Sequence, residues 1–268
     1  MEELEWIDIG VNLTDSAFDK DRNAVIDAAA AAGVTRMLLT GTSLAESEQA
    51  IALAERYPGQ LFCTVGVHPH YSKDHSSADF RQLASLLRSP GVVAVGETGL
   101  DFNRNFSTPA QQESAFEHQL ELACDSGLPL FLHERDAHER QVEMLKHYRN
   151  HISGAVAHCF TGDKQALYNY LDLDLYIGIT GWICDERRGV ELQTLIKDIP
   201  ANRLLLETDA PYLIPRDIQP KPKSRRNMPQ YLPHIANKVA ELTAQPLAAL
   251  ATQVKTNTEL LFRLNAQP

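Results

Sequence analysis

The sequence predicts an α/β fold of the (β/α)8 barrel type, one domain over residues 1–268, on three observations. Strand-like and helix-like segments alternate about eight times in roughly 250 residues, the size and count of such a barrel. The strand segments are apolar on both faces, as parallel strands covered by helices must be. No G-x-G-x-x-G follows the first strand, which removes the main pointer to a doubly wound dinucleotide fold.

"EWIDIG" (5–10) reads as the first strand and 18–33 as a helix closed by Gly33, a good stop residue because glycine accepts a left-handed backbone. "TRMLLTG" (35–41) is the second strand and 44–58 the next helix. "LFCTVGVH" (61–68) and "GVVAVGE" (91–97) follow as strands three and four, with no helix assigned between them. The remaining strands are "PLFLH" (129–133), "GAVAH" (154–158), "LYIGIT" (175–180) and "RLLLETD" (203–209). Apolar residues at helical spacing mark 108–127, 136–150, 162–171 and 189–199, and two helices over 229–243 and 246–263 close the chain. The longest irregular stretch, the Pro-rich 210–229, follows the last strand. Loops of that length inside a compact domain tend to carry function.

The formal net charge is -10. Proteins that bind nucleic acid over a broad surface are usually basic, so a polyanionic partner must be met locally. Four cysteines, none spaced as C-x-x-C, point to a reducing compartment. The acidic start has no basic segment leading into an apolar one, and no apolar run approaches the roughly 20 residues that span a bilayer. The expectation is a cytoplasmic protein with no membrane partner. No heptad or apolar surface demands an oligomer, so a monomer is expected.

Chemistry gathers where the strands end. His133 closes "PLFLH", and one histidine after an apolar run is usually only a hydrogen-bonded core residue. Here the punctuation recurs. His68 and His70 end the third strand, Glu97 and Asp101 the fourth, His158 the sixth, and Glu207 and Asp209 the eighth. A barrel brings these ends to one face, where active sites lie. Imidazoles and carboxylates converging there suit a divalent metal with positions left open for water and substrate. Cys159 should point away from His158 as a small buried residue, and Trp182 and Cys184 read as packing. Arg104, Arg187, Arg188, Arg216, Lys221, Lys223, Arg225 and Arg226 fall in loops on the same face and suit backbone phosphates. Tyr71, Phe102, Phe106 and Tyr212 sit near strand ends, where core packing is the first reading and base stacking the second.

"GVHPH", "GETGLDF", "HERDA", "AHCFTG", "ETDAPYL" and "SRRNMP", in that order from about Asp8 to the last helices, resemble the TatD family of metal-dependent deoxyribonucleases, within the amidohydrolase-like group. The resemblance implies a TIM barrel, a divalent ion and phosphodiester hydrolysis by a 3'-to-5' exonuclease on single-stranded DNA or RNA, with a role in DNA repair or turnover. It places Glu97, His133 and His158 on the metal, with Glu97 able to bridge to a second ion. It makes Asp209 a second-ion ligand or the acceptor of the water's proton, and sets His68 against the phosphate. Asn12, His70, Arg104 and Arg225 are the accompanying substrate-binding candidates.

One departure stands out. Most relatives carry His-x-His at the end of the first strand, where this chain has Gly10 and Asn12. The expectation is one firmly held ion and an oxygen-rich second position suited to Mg²⁺ rather than Mn²⁺ or Zn²⁺. A capping or loop role for Asn12 is an equal reading. Another metal-dependent hydrolase on the same barrel, cutting an amide, lactone or phosphoester, is the main rival. A non-catalytic metal-binding protein is a further one. A Schiff-base lyase lacks its strand-end lysine.

Overall fold

The computed structural model describes residues 4–266. Eight parallel strands pair in sequence order: β1 (Trp6–Val11), β2 (Val34–Leu39), β3 (Leu61–Val65), β4 (Val92–Asp101), β5 (Leu130–Arg135), β6 (Ala155–Ala157), β7 (Tyr176–Ile179) and β8 (Leu204–Leu206). The helices are α1 (Arg22–Ala31), α2 (Leu44–Ala54), α3 (Ser77–Leu86), α4 (Pro109–Ser126), α5 (His138–Tyr148), α6 (Lys164–Asp172), α7 (Val190–Leu195), α8 (Leu232–Thr243) and α9 (Leu247–Phe262). The barrel closes by a bridge between Val11 and Ala210. Asp209 N–H donates to Gly10 C=O at 2.8 Å and Asn12 N–H to Ala210 C=O at 2.7 Å.

Two apolar layers result. Ile7, Ile9, Leu38, Phe62, Val93, Phe131, Val156 and Leu205 fill the barrel interior, and the opposite strand faces pack on the helices. Below the closing bridge, the fully buried Asp8 carboxylate accepts from Thr208 N–H at 2.9 Å and Thr208 Oγ at 2.5 Å. It thereby substitutes for ladder hydrogen bonds at the β8–β1 seam. Burial raises the Asp8 carboxyl to about 7, against the pull of the Thr208 bonds.

Four sequence expectations need correction. Helix α3 was not expected, although Ser76 and Asp79 form a capping box ahead of Phe80 and Leu83, a signal legible in "SSADF". The first helix begins at Arg22 instead of residue 18, because Asp15 caps a separate 3-10 turn that buries Phe18. Strand β4 runs four residues past Glu97, to Asp101, paired with β5 throughout that extension. Strands β6 and β8 stop before His158 and Glu207, which lie just beyond the last paired residues.

Candidate active site

Strand alternation places the site. Phe131 faces the barrel interior, so His133, two residues on, does too; Val156 leads in the same way to His158, and Leu205 to Glu207 and Asp209. The Phe131 ring lies 4.7 Å from that of His158 and forms the floor. Above it, at the C-terminal mouth, opens a cavity of about 1280 Å³. Of the nine site residues expected from sequence, Asn12, His68, His70, Glu97, Arg104, His133, His158 and Asp209 line it, and Arg225 does not.

Glu97 is the hub. Its Oε1 lies 3.0 Å from His133 Nδ1, 3.4 Å from His68 Nε2 and 3.8 Å from His158 Nε2. Behind each of two imidazoles stands a further carboxylate. Glu207 Oε2 is 2.5 Å from His158 Nδ1, and Asp101 Oδ2 is 3.3 Å from His133 Nε2. Asp101 also holds His70 Nε2 at 2.7 Å. A carboxylate behind an imidazole fixes its orientation and leaves the other nitrogen free for a metal, the arrangement found around protein-bound ions. Glu97 with His68 and His133 is compact enough for one divalent cation, and His158 Nε2 stands 3.8 Å from the same carboxylate. Burial works against charge on both imidazoles, yet Asp101 and Glu97 raise His133 to about 9, and Glu207 with Glu97 raises His158 to about 10. Burial likewise opposes a charged Glu97, but His68, His133 and His158 hold its carboxyl well below the usual range.

His68 is built differently. Its Nδ1 accepts the His70 backbone N–H at 3.1 Å, which puts the ring proton on Nε2, toward Glu97. In that tautomer His68 is a donor and not a ligand. Burial drives it down to about 4, so it is neutral at working pH. A neutral ring with its proton on Nε2 can donate to a phosphate oxygen, the place the resemblance gives His68.

At the seam, Asn12 Nδ2 donates to Asp209 Oδ1 at 3.0 Å. The amide nitrogen of Asn12, not its oxygen, faces the carboxylate, so the residue orients Asp209 instead of offering a metal ligand. Asp209 adopts a left-handed backbone. Burial raises its carboxyl to about 7, with the Glu97 and Glu207 charges adding to the rise and His158 opposing it. Gly10 has a steric reason. A Cβ there would lie 2.5 Å from Glu207 Oε2 and 3.3 Å from His158 Nδ1, and one at Gly178 would lie 2.4 Å from Glu207 Oε1. Glu207 thus occupies the space that a side chain at position 10 would need.

Sequence reasoning noted Asp101 and Glu207 at strand ends without giving them roles, and it missed a set of buried glutamines. Gln119 brackets Val67, accepting from its N–H and donating to its C=O, and Gln112 does the same to Asp101. Both project from α4 and anchor the strand ends carrying His68 and Asp101. Gln141 accepts from Leu100 N–H. Glutamine on an otherwise apolar helix face was the available signal.

Other expectations change. Cys159 is half-buried and lines the cavity, because a left-handed backbone turns its N–H onto Glu207 Oε1 at 2.6 Å. Trp182 also lines the cavity, under the Arg188 guanidinium at 4.4 Å. Three of the loop cations are already ion-paired: Arg226 with Asp21, Arg216 with Glu186, and Arg188 with Asp185. Nine carboxylates and only three arginines line the cavity. Elsewhere, Cys184, Asp217 and His234 cluster, but His234 Nε2 at 2.6 Å and Lys238 Nζ at 3.3 Å already neutralise Asp217. Among the described residues, no helix is long and apolar enough to cross a membrane.

A sequence profile described as TatD related DNase matches residues 7–263. The chain belongs to this family. It is 56% identical over 258 residues to a protein of Edwardsiella piscicida named 3'-5' ssDNA/RNA exonuclease TatD, covering 96% of this chain and 99% of the relative. A Salmonella typhimurium protein of the same name is 53% identical over 257 residues, covering 96% and 98%. Among solved structures, the TatD homolog YJJV of Escherichia coli K12 matches with a TM-score of 0.88 at 31% identity, covering 96% of this chain and 98% of that one. As a TatD protein the chain is a metal-dependent hydrolase, and the Glu97 cluster lies where its barrel concentrates ionisable groups.

Proposed function

We propose that this chain is a metal-dependent exonuclease that removes nucleotides from the 3' end of single-stranded DNA and RNA. The observation that carries this reading is the pair of carboxylate-backed imidazoles, His133 and His158, converging on Glu97 with Asp209 beside them. Relatives more than half identical bear the exonuclease name.

Phosphodiester hydrolysis needs an attacking water, relief of phosphate charge and a proton for the leaving oxygen. Glu97, His133 and His158 would hold a divalent ion, which would supply acidity to the water and positive charge to the phosphate. Asp209 takes the water's proton and passes it to the leaving oxygen as that P–O bond breaks. Its carboxyl, raised to about 7, is basic enough for that role yet ionised in part at neutral pH. Asn12 holds Oδ1 of Asp209 and leaves Oδ2 for the water. His68 donates its Nε2 proton to a phosphoryl oxygen in a hydrogen bond. The seam offers only oxygen, from Asp209 and Glu97, which suits a hydrated hard ion such as Mg²⁺ in company with the substrate phosphate.

The test is degradation of 3'-labelled and 5'-labelled single-stranded oligonucleotides by metal-stripped protein supplied with Mg²⁺, Mn²⁺ or Zn²⁺, beside Glu97→Ala. Metal-dependent release of mononucleotide from the 3' end, absent in the variant, is expected. Cleavage from the 5' end, or none with any ion, would overturn the reading.

A further inference from the structure

Six large apolar side chains are strongly exposed among the described residues, and three of them are aromatic rings at the active site: Tyr71 (43%) and Tyr212 (53%) line the cavity, and Phe106 (53%) stands beside it against His70. Each is tied to a site residue. Tyr71 N–H donates to His68 C=O at 2.9 Å, and Tyr212 N–H to Asp209 C=O at 2.9 Å. The Phe106 ring stands edge-on to that of His70, centroids 4.8 Å apart. Their positions are fixed by polar bonds that leave the rings bare. Ser107 Oγ, next to Phe106, donates to His70 C=O at 3.1 Å and accepts from Lys73 N–H at 3.0 Å. The Tyr212 hydroxyl donates to Asp15 at 3.0 Å. Exposing three aromatic faces to water is costly unless something covers them in use.

The charge around them says what that is. The cavity walls carry three times as many carboxylates as arginines, Arg216 and Arg226 of the long loop are ion-paired, and Lys221, Lys223 and Arg225 do not line the cavity. Such a mouth gains little from phosphate contacts. Stacking on aromatic faces needs no charge, tolerates any base, and contributes about 1–3 kcal/mol per base.

We propose that Tyr71, Phe106 and Tyr212 form a base-stacking rim that holds the unpaired bases next to the scissile phosphate. This rests on the exonuclease reading above. A base in a duplex has its faces covered by neighbours and its edge paired, so the rim selects single strands by demanding a bare face. It acts in binding and not in the chemical step, and it makes binding only weakly dependent on salt, since few counterions are released.

The experiment compares wild type, Phe106→Ala, Tyr71→Ala and Phe106→Trp on a single-stranded oligonucleotide and on one with abasic sites at its last three 3' positions. Binding of the fluorescent oligonucleotides to metal-free protein is followed alongside turnover. Each alanine variant should raise KM and Kd about tenfold for the normal strand, the lower half of the stacking range. Phe106→Trp should restore both. On the abasic strand the difference between wild type and variants should vanish. Equal Kd for wild type and the alanine variants on the normal strand, or an undiminished difference on the abasic strand, would overturn the rim. If wild type binds but cleaves nothing, the exonuclease reading fails while the Kd comparison still decides the rim.

Discussion

Two corners of the cavity solve the same problem, placing charged groups in a buried site, in opposite ways. At the β4–β6 corner His133 and His158 each have a carboxylate behind them: Asp101, shared with His70, behind His133, and Glu207 behind His158. Their free nitrogens face Glu97. At the β8–β1 seam the polar groups satisfy one another, Asp8 with Thr208 and Asn12 with Asp209, and Gly10 leaves its place to Glu207. The first corner has nitrogen to offer a cation. The second has only a carboxylate poised by an amide. With Gly10 and Asn12 on the first strand, the proposed reaction divides the labour, with metal holding on one side and proton handling on the other.

That division can be broken from the seam. Asp209→Asn keeps the shape and the Asn12 contact within reach of an amide but removes the base. Turnover should fall about 10²–10⁴-fold, the usual worth of a positioned general base. Metal content, measured after dialysis, should stay at the wild-type value, because the holding groups lie across the cavity. A parallel loss of bound metal would move Asp209 into the holding set and erase the contrast.

The other corner yields a smaller effect of the opposite kind. Glu207→Gln keeps the volume that Gly10 and Gly178 leave for it, but it replaces the carboxylate behind His158. Groups in this position typically contribute 10–100-fold to metal affinity. The apparent Kd for Zn²⁺ should weaken by about that factor, and turnover at saturating metal should recover most of the wild-type rate. Weak turnover persisting at saturation would make Glu207 a participant in the reaction itself.

The comparison also marks what sequence could tell. The barrel was legible because strand and helix periods differ, and because parallel strands buried on both faces read as apolar runs. His133 and His158 were legible because imidazoles and carboxylates recur where the strands end, and a barrel brings those ends to one face. The carboxylates behind them were visible as residues and not as partners. Glu207 and His158 are separated by 49 positions, and only closure of the barrel makes them neighbours. The direction of the Asn12 amide, the collision awaiting a side chain at position 10 and the internal pairing of Arg226 with Asp21 depend on which atoms the fold brings together. No periodicity encodes that. Helix α3 and the buried glutamines of α4 are the omissions for which a local signal was present.

The smallest expected effect separates the two corners by pH. In metal-free protein, His133 and His158 have been raised to about 9 and about 10 from an ordinary value near 6.5. A raised imidazole contributes stability that is complete below the unfolded value and is lost as pH climbs through the folded one. Asp209, raised to about 7 by burial, acts in the same direction. His68, pushed down to about 4, acts oppositely but only below about pH 6.5. The melting temperature of metal-free protein should therefore decline between pH 7 and 10, by about 2–4 °C for each kcal/mol lost. Metal-loaded protein should not follow. Its imidazoles give up their protons on binding, and protons compete with the ion less as pH rises. The gap in melting temperature between the loaded and stripped forms should widen from pH 7 to 10, and in His158→Asn it should widen less, by the share that His133 leaves. A stripped protein whose melting temperature is flat over this range would mean that the imidazoles are not held charged by their carboxylates, and the β4–β6 corner would lose the feature that distinguishes it from the seam.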